Sequence, residues 1–152
     1  MQYITYKKAY KFNLAETYVD NVNIKPNRNI STEYIELTSL GRLTVKKGYA
    51  WDGAAGTLFN TANLMRASLV HDALYQLMSS AQMDPLKWRK AADELLYSAC
   101  RQDGVGRFRS WCIYKWVSLT AESHIAKEKT VLFSPKSATR NAIQWLFASK
   151  KA

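Results

Sequence analysis

Cysteine is nearly absent from this chain: 152 residues contain two, Cys100 and Cys112. Two thiols cannot build a disulfide framework, and no Cys/His spacing points to zinc. Both lie in segments whose apolar residues recur at helical spacing, and both read as small core residues. Long apolar runs are missing too. None approaches the roughly 20 residues that a spanning helix needs, so no transmembrane segment is expected. The first residues, Met1-Gln2-Tyr3-Ile4-Thr5-Tyr6-Lys7-Lys8, have no apolar stretch after the lysines and do not read as a signal peptide. These absences predict a soluble protein made in the cytoplasm. Repeats and low-complexity tracts are absent as well.

With 47% hydrophobic residues, the composition predicts one globular domain over residues 1–152, with a real core. The net charge of +10 is unevenly spread. From Arg107 onward there are nine Lys/Arg against two Glu, a surplus of seven, which leaves only three for the rest. A basic C-terminal third attracts polyanions: nucleic acid, anionic lipid head groups or an acidic protein. A solvated basic face that serves solubility is the plainer reading.

The pattern predicts an α+β fold, with a small N-terminal antiparallel sheet followed by about four helices. Residues 1–52 are strand-rich, 52–61 form a loop, and 62–150 are helical. Tyr3–Phe12 and Ala15–Ile24 are rich in Tyr, Val, Ile and Thr with partial alternation. Lys25-Pro26-Asn27-Arg28-Asn29 reads as a turn. Tyr34–Thr38 and Arg42–Val45 flank Ser39-Leu40-Gly41 as a hairpin, and Tyr49–Trp51 is a further short strand. Asn60-Thr61-Ala62-Asn63 offers caps for a helix to about Met78. Asp84-Pro85 starts a second helix, which Gly104 ends after Asp103. A third runs from Arg107 to about Ala126, and Ser137 caps a fourth. In the third, Trp111, Tyr114 and Val117 read as core positions, flanked by Arg107, Arg109 and Lys115.

The chemistry concentrates in Ser68-Leu69-Val70-His71-Asp72-Ala73-Leu74-Tyr75. On a helix, His71 and Tyr75 lie one turn apart on one face, with Asp72 about 100° round. The chain has only two histidines, and His124 has no comparable setting. Asp93 borders the apolar stripe Trp88, Ala91, Ala92, Leu95, Leu96 and Ala99, where it can face His71 from a second helix. A carboxylate that fixes an imidazole's tautomer, with a second one spare for a cation, makes a water-activating base. The plainer alternatives are a hydrogen-bonded core histidine and a surface Arg89–Asp93 ion pair. Before this helix, Trp51-Asp52-Gly53-Ala54-Ala55-Gly56 is a loop whose glycines allow its carbonyls to turn inward. With Asp52 and Asp72 it can hold a hard cation, or its amides can cradle an anion. A tight connection with Trp51 as core anchor is equally open.

Two resemblances follow from these residues. Gly48–Gly56, Arg66–Leu77, Ala92-Asp93 and Arg107–Trp111, in that order, resemble the phage and prophage family called domain of unknown function 1353. That resemblance implies a phage or prophage origin, synthesis in a host cytoplasm, and no settled activity. The His-Asp-x-x-Tyr of residues 71–75, after a glycine-containing loop and before Asp93, is also similar to phospholipase A2 enzymes. By that likeness His71 would be general base on water, Asp93 would orient its far nitrogen, and Tyr75 would support Asp93 or shape the pocket. Asp72 would bind Ca²⁺ with carbonyls of the Trp51, Gly53 and Gly56 loop, and Asp52 would be a further ligand. The paired cysteines that brace the secreted enzymes are missing.

Three readings follow. The first is a Ca²⁺-dependent hydrolase acting on anionic phospholipid of a host envelope. The second is a non-enzymatic virion, tail or host-interaction protein that binds other phage proteins and uses the His/Asp/Tyr cluster as a structural polar network. The third is a basic nucleic-acid-binding protein.

Overall fold

The computed structural model describes residues 6–8, 12–53 and 61–132, with side chains over 12–53 and 61–120. The fold is α+β, as the sequence predicts. However, the strands form two small antiparallel sheets, not one. The first has the order β1-β2-β7, built from Tyr6–Lys8, Phe12–Leu14 and Ala50–Trp51. The second has the order β3-β6-β5-β4, built from Tyr18–Asn21, Arg42–Val45, Ile35–Leu37 and Ile30–Ser31. Short strands broken by turns and half-exposed residues cannot make one continuous ladder, which is why the expected single sheet divides.

The β5–β6 hairpin forms where the sequence places it, with Ile35 opposite Val45 and Leu37 opposite Leu43. Its turn depends on Gly41, whose φ is +89°. A Cβ there would sit 2.4 Å from the Val22 carbonyl oxygen, so glycine is required sterically as well as conformationally.

Three helices are seen among the described residues: α1 (Met65–Ser79), α2 (Pro85–Gln102) and α3 (Arg107–Leu132). The fourth expected helix, from Ser137, lies outside them. A 3-10 turn, Ala62–Leu64, leads into α1. The expected side-chain cap is not made: the Thr61 hydroxyl bonds Asn63 Oδ1 at 2.7 Å instead of a helix amide. At α2 the prediction holds, with Asp84 Oδ1 accepting from the Leu86 amide at 2.9 Å and Pro85 in the first turn. Its end is a Schellman motif. Val105 N–H reaches the Cys100 carbonyl at 2.9 Å, and Gly104 sits at φ +83°. The third helix runs past the expected Ala126 to Leu132.

Most of α1 is buried, including Leu69, Val70, Ala73, Leu74 and Leu77. It is the central helix of the unit Met1–Val117; a second unit comprises Ser118–Ala152. One core cluster joins α1 to residues from both sheets, among them Ile35, Leu37, Leu43, Val45 and Trp51. The other joins Ala67 of α1 to Leu96, Ala99 and Cys100 of α2 and Ile113 of α3. Burying Ile113 and Val117 turns Trp111 outward, so this tryptophan is half exposed instead of in the core. Cys100 is buried as expected, but Cys112 is only half-buried.

Candidate functional site

The exposed side of α1 is a narrow stripe carrying Asp72, Tyr75, Gln76 and Ser79. His71 lies just inside it and is buried. Its partner comes from α2. Asp93 is 2% exposed, deep in the helix interface. Its Oδ1 stands 3.0 Å from His71 Nε2 and accepts the Tyr75 hydroxyl at 2.7 Å. The His71 and Tyr75 rings pack with centroids 4.2 Å apart. As donor to Asp93, Nε2 carries the imidazole hydrogen and Nδ1 presents its lone pair. That nitrogen faces Asp72, whose Oδ1 is 3.7 Å away.

The electrostatics follow from this packing. Burial alone drags the His71 pKa down, but the Asp72 and Asp93 carboxylates more than offset it and leave it above 6.5. Desolvation pushes the Asp72 carboxyl up, and the nearby Asp52 charge adds to that, whereas His71 and the Asp52 backbone N–H work against it. Tyr75 is raised strongly by burial and by Asp93, so its phenol keeps its hydrogen as a donor.

Strand β7 brings the loop acid to the helix. Trp51 Nε1 donates to Ser68 Oγ at 3.1 Å, both buried, and the indole lies against Phe12 and Tyr49. Asp52 follows directly and is within electrostatic reach of Asp72. Gly53 is buried with φ +82°; Gly56 lies outside the described residues. Sequence reasoning missed Tyr49: buried, its phenol is raised by desolvation and then by Asp72 and Asp52. The alternation Tyr49-Ala50-Trp51 was the available signal, since it puts Tyr49 and Trp51 on the inner face together.

A second polar network also escaped the sequence. Buried Arg66 donates through Nε to both Asp103 oxygens at 3.1 and 2.9 Å, and also reaches Asp20 Oδ2 and Gln102 Oε1. Asp20 in turn accepts from Tyr18 Oη at 2.7 Å. These contacts tie β3, α1 and the end of α2 together. Arg66 lies one turn before Val70, and nothing in its local spacing reveals a partner on a different element.

A family model described as "Protein of unknown function (DUF1353)" matches residues 30–117, more than half of the chain. The chain belongs to this DUF1353 family. Of the cluster just described, His71, Asp72, Tyr75, Asp93, Trp51 and Asp52 all fall inside the matched stretch of the DUF1353 model, as do Arg66 and Asp103. No curated protein and no solved structure matches the chain.

Proposed function

We propose that this DUF1353 protein is a hydrolase of the phospholipase A2 kind, cleaving ester bonds of anionic phospholipid in a host envelope, and of phage origin. One observation carries the reading: a single buried oxygen of Asp93 serves both His71 Nε2 and Tyr75 Oη. This leaves Nδ1 facing Asp72, 3.7 Å from its Oδ1.

His71 Nδ1 takes a proton from water, and the resulting imidazolium is held by Asp93 through Nε2. Tyr75 fixes the carboxylate, so that the ring keeps its orientation as charge develops. Asp93 acts through His71 and does not touch substrate.

The cation implied by the resemblance is Ca²⁺. Among the described residues no three His, Cys, Asp or Glu side chains form a metal-holding group. The donor chemistry fits nevertheless, because Asp52 and Asp72 are oxygen donors whose mutual repulsion a divalent ion relieves. Asp72 and Asp52 would hold it, with carbonyls of Trp51, Gly53 and Gly56. The chemistry supplied by bound Ca²⁺ is polarisation of the ester carbonyl and stabilisation of its oxyanion.

The test is calorimetric titration of Ca²⁺ into wild type and Asp72→Asn, with phospholipid hydrolysis assayed on the same samples. Saturable binding lost in the variant, together with hydrolysis lost in His71→Gln, is the expected result. Full hydrolysis by His71→Gln would sink the proposal. Without Ca²⁺, Asp72→Asn should be at least as stable as wild type, because the substitution removes a carboxylate that its surroundings disfavour.

A further inference from the structure

The outer face of α3 carries large apolar side chains that the fold does not bury. Phe108, Trp111 and Trp116 are 79%, 50% and 53% exposed. The Phe108 and Trp111 rings stack at 6.2 Å. At about 100° per residue, Phe108, Trp111 and Lys115 share one side of the helix with Trp116 at its margin, opposite Ser110, Ile113 and Val117. Ser110 and Ile113 are buried, and Val117 packs on the core. Exposed residues such as Leu40 and Leu86 are isolated and unremarkable on a soluble surface. Phe108 and Trp111 form an exposed stacked pair, with Trp116 exposed at its margin.

Charge narrows what this patch fits. Residues 107–117 contain Arg107, Arg109 and Lys115 and no acid. Arg109 is engaged, donating to Thr61 Oγ1 at 3.3 Å, while Arg107 and Lys115 are exposed. The chain's own last residues, 133–152, carry Lys136, Arg140, Lys150 and Lys151, again with no acid. They bear the same sign as the patch and are not its electrostatic complement. A nucleic-acid groove needs cations in a row at phosphate spacing, whereas here aromatic area predominates over two exposed cations. Trp and Phe set among Lys and Arg suit the boundary between head groups and acyl chains.

We propose that this face of α3 docks the protein onto an anionic phospholipid bilayer. Phe108, Trp111 and Trp116 enter the head-group layer, while Arg107 and Lys115 meet lipid phosphates. Each well-placed cation strengthens such binding about fivefold. The proposal deepens the lipid-hydrolase reading and rests on it for the bilayer as substrate source, but the docking face does not include His71.

The full-length protein is sedimented with vesicles of phosphatidylcholine alone, or mixed equally with phosphatidylglycerol, while tryptophan emission is recorded. With two such cations, the mixed vesicles should bind about 25-fold more tightly, with a blue shift in emission. Trp111→Ser/Trp116→Ser should lose about tenfold in binding and most of the shift, at an unchanged melting temperature. Lys115→Glu should weaken only the phosphatidylglycerol-dependent part. His71→Gln should bind as wild type does. If hydrolysis fails the reading above, docking still registers here; if docking fails, hydrolysis of a short-chain phospholipid below its micelle concentration, assayed alongside, still reports a working site. Equal binding to both vesicles, or undiminished binding by the double variant, would overturn the proposal. So would a sharp fall in that variant's melting temperature, which would mean the face is covered by the chain. Binding of an oligonucleotide through the same residues, with none to vesicles, would also overturn it.

Discussion

Tyr75 Oη and His71 Nε2 meet on the same oxygen of Asp93, at 2.7 and 3.0 Å. The two contacts have different weights. Removing the Tyr75 hydroxyl leaves the His71 contact in place, whereas converting Asp93 to an amide alters which imidazole nitrogen carries the hydrogen. Tyr75→Phe should cost about 1 kcal/mol of stability and only a few-fold in hydrolysis. Asp93→Asn should keep the fold and lower kcat/KM by about 10³-fold or more. Urea unfolding and ester hydrolysis on the same preparations check both, and equal activity losses for the two variants would contradict this division.

The pH dependence follows from the raised pKa of His71, which the carboxylates push above 6.5 against the opposing effect of burial. The folded state binds this proton more tightly than the unfolded state. The associated stability is therefore complete below 6.5 and lost as pH rises through the folded value. Asp72 has the same sign, its contribution fading as pH rises from 3.8 through its raised value. In the proposed mechanism the base is neutral His71, so hydrolysis should increase with pH in the window above 6.5. Asp93→Asn should move that limb to lower pH by removing one of the two carboxylates. A wild-type limb at or below the ordinary imidazole value would refute this.

Arg66 and Asp103 form a buried ion pair, with Asp20 and Gln102 also bonded to the guanidinium. Breaking it from one side leaves an uncompensated charge in the core. Asp103→Ala should cost about 3–5 kcal/mol, and Arg66→Met with Asp103→Leu together should cost less than that single change. Denaturant midpoints of the three proteins decide the matter.

Helix α1 ends in a Schellman motif of its own, with Gln82 N–H on the Leu77 carbonyl at 2.9 Å. The left-handed position is occupied by Ala81, at φ +57°. Glycine belongs there, and Ala81→Gly should stabilise the protein by about 0.5–1 kcal/mol, read as a rise in melting temperature. A fall would contradict the strain argument.

The two thiols should separate chemically. Burial, with Asp103 nearby, pushes Cys100 up to about 11, whereas Cys112 is half-buried. A thiol reagent at neutral pH should modify Cys112 in the folded protein and reach Cys100 only on unfolding. Rapid modification of both in the native state would be inconsistent with this structure.

Much of this was legible in the sequence because it is local. The Gly41 hairpin, the Asp84-Pro85 start and the Gly104 stop are set by residues within a few positions of one another. His71 and Tyr75 share a helix face by spacing alone. What escaped depends on distant elements. Asp93 looked marginal because its own helix places it at the edge of the apolar stripe; α1 then covers that edge. Trp111 looked like core because aromatic residues usually are, but Ile113 and Val117 claim the buried side. Arg66 and Asp103 give no local sign of each other, and two sheets in place of one follow from where short strands stop pairing.

Strand β7 pairs with β2, Phe12 opposite Trp51, so the whole β3–β6 sheet is threaded between two adjacent strands. That nesting has a kinetic corollary. The second sheet is built largely from near-neighbour hairpins and closes cheaply, whereas the β2–β7 pair must bridge residues 15–49. The β2–β7 pair should therefore close after the hairpins have shortened the distance. A chain interrupted at that stage would hold its second sheet formed and its first sheet still open.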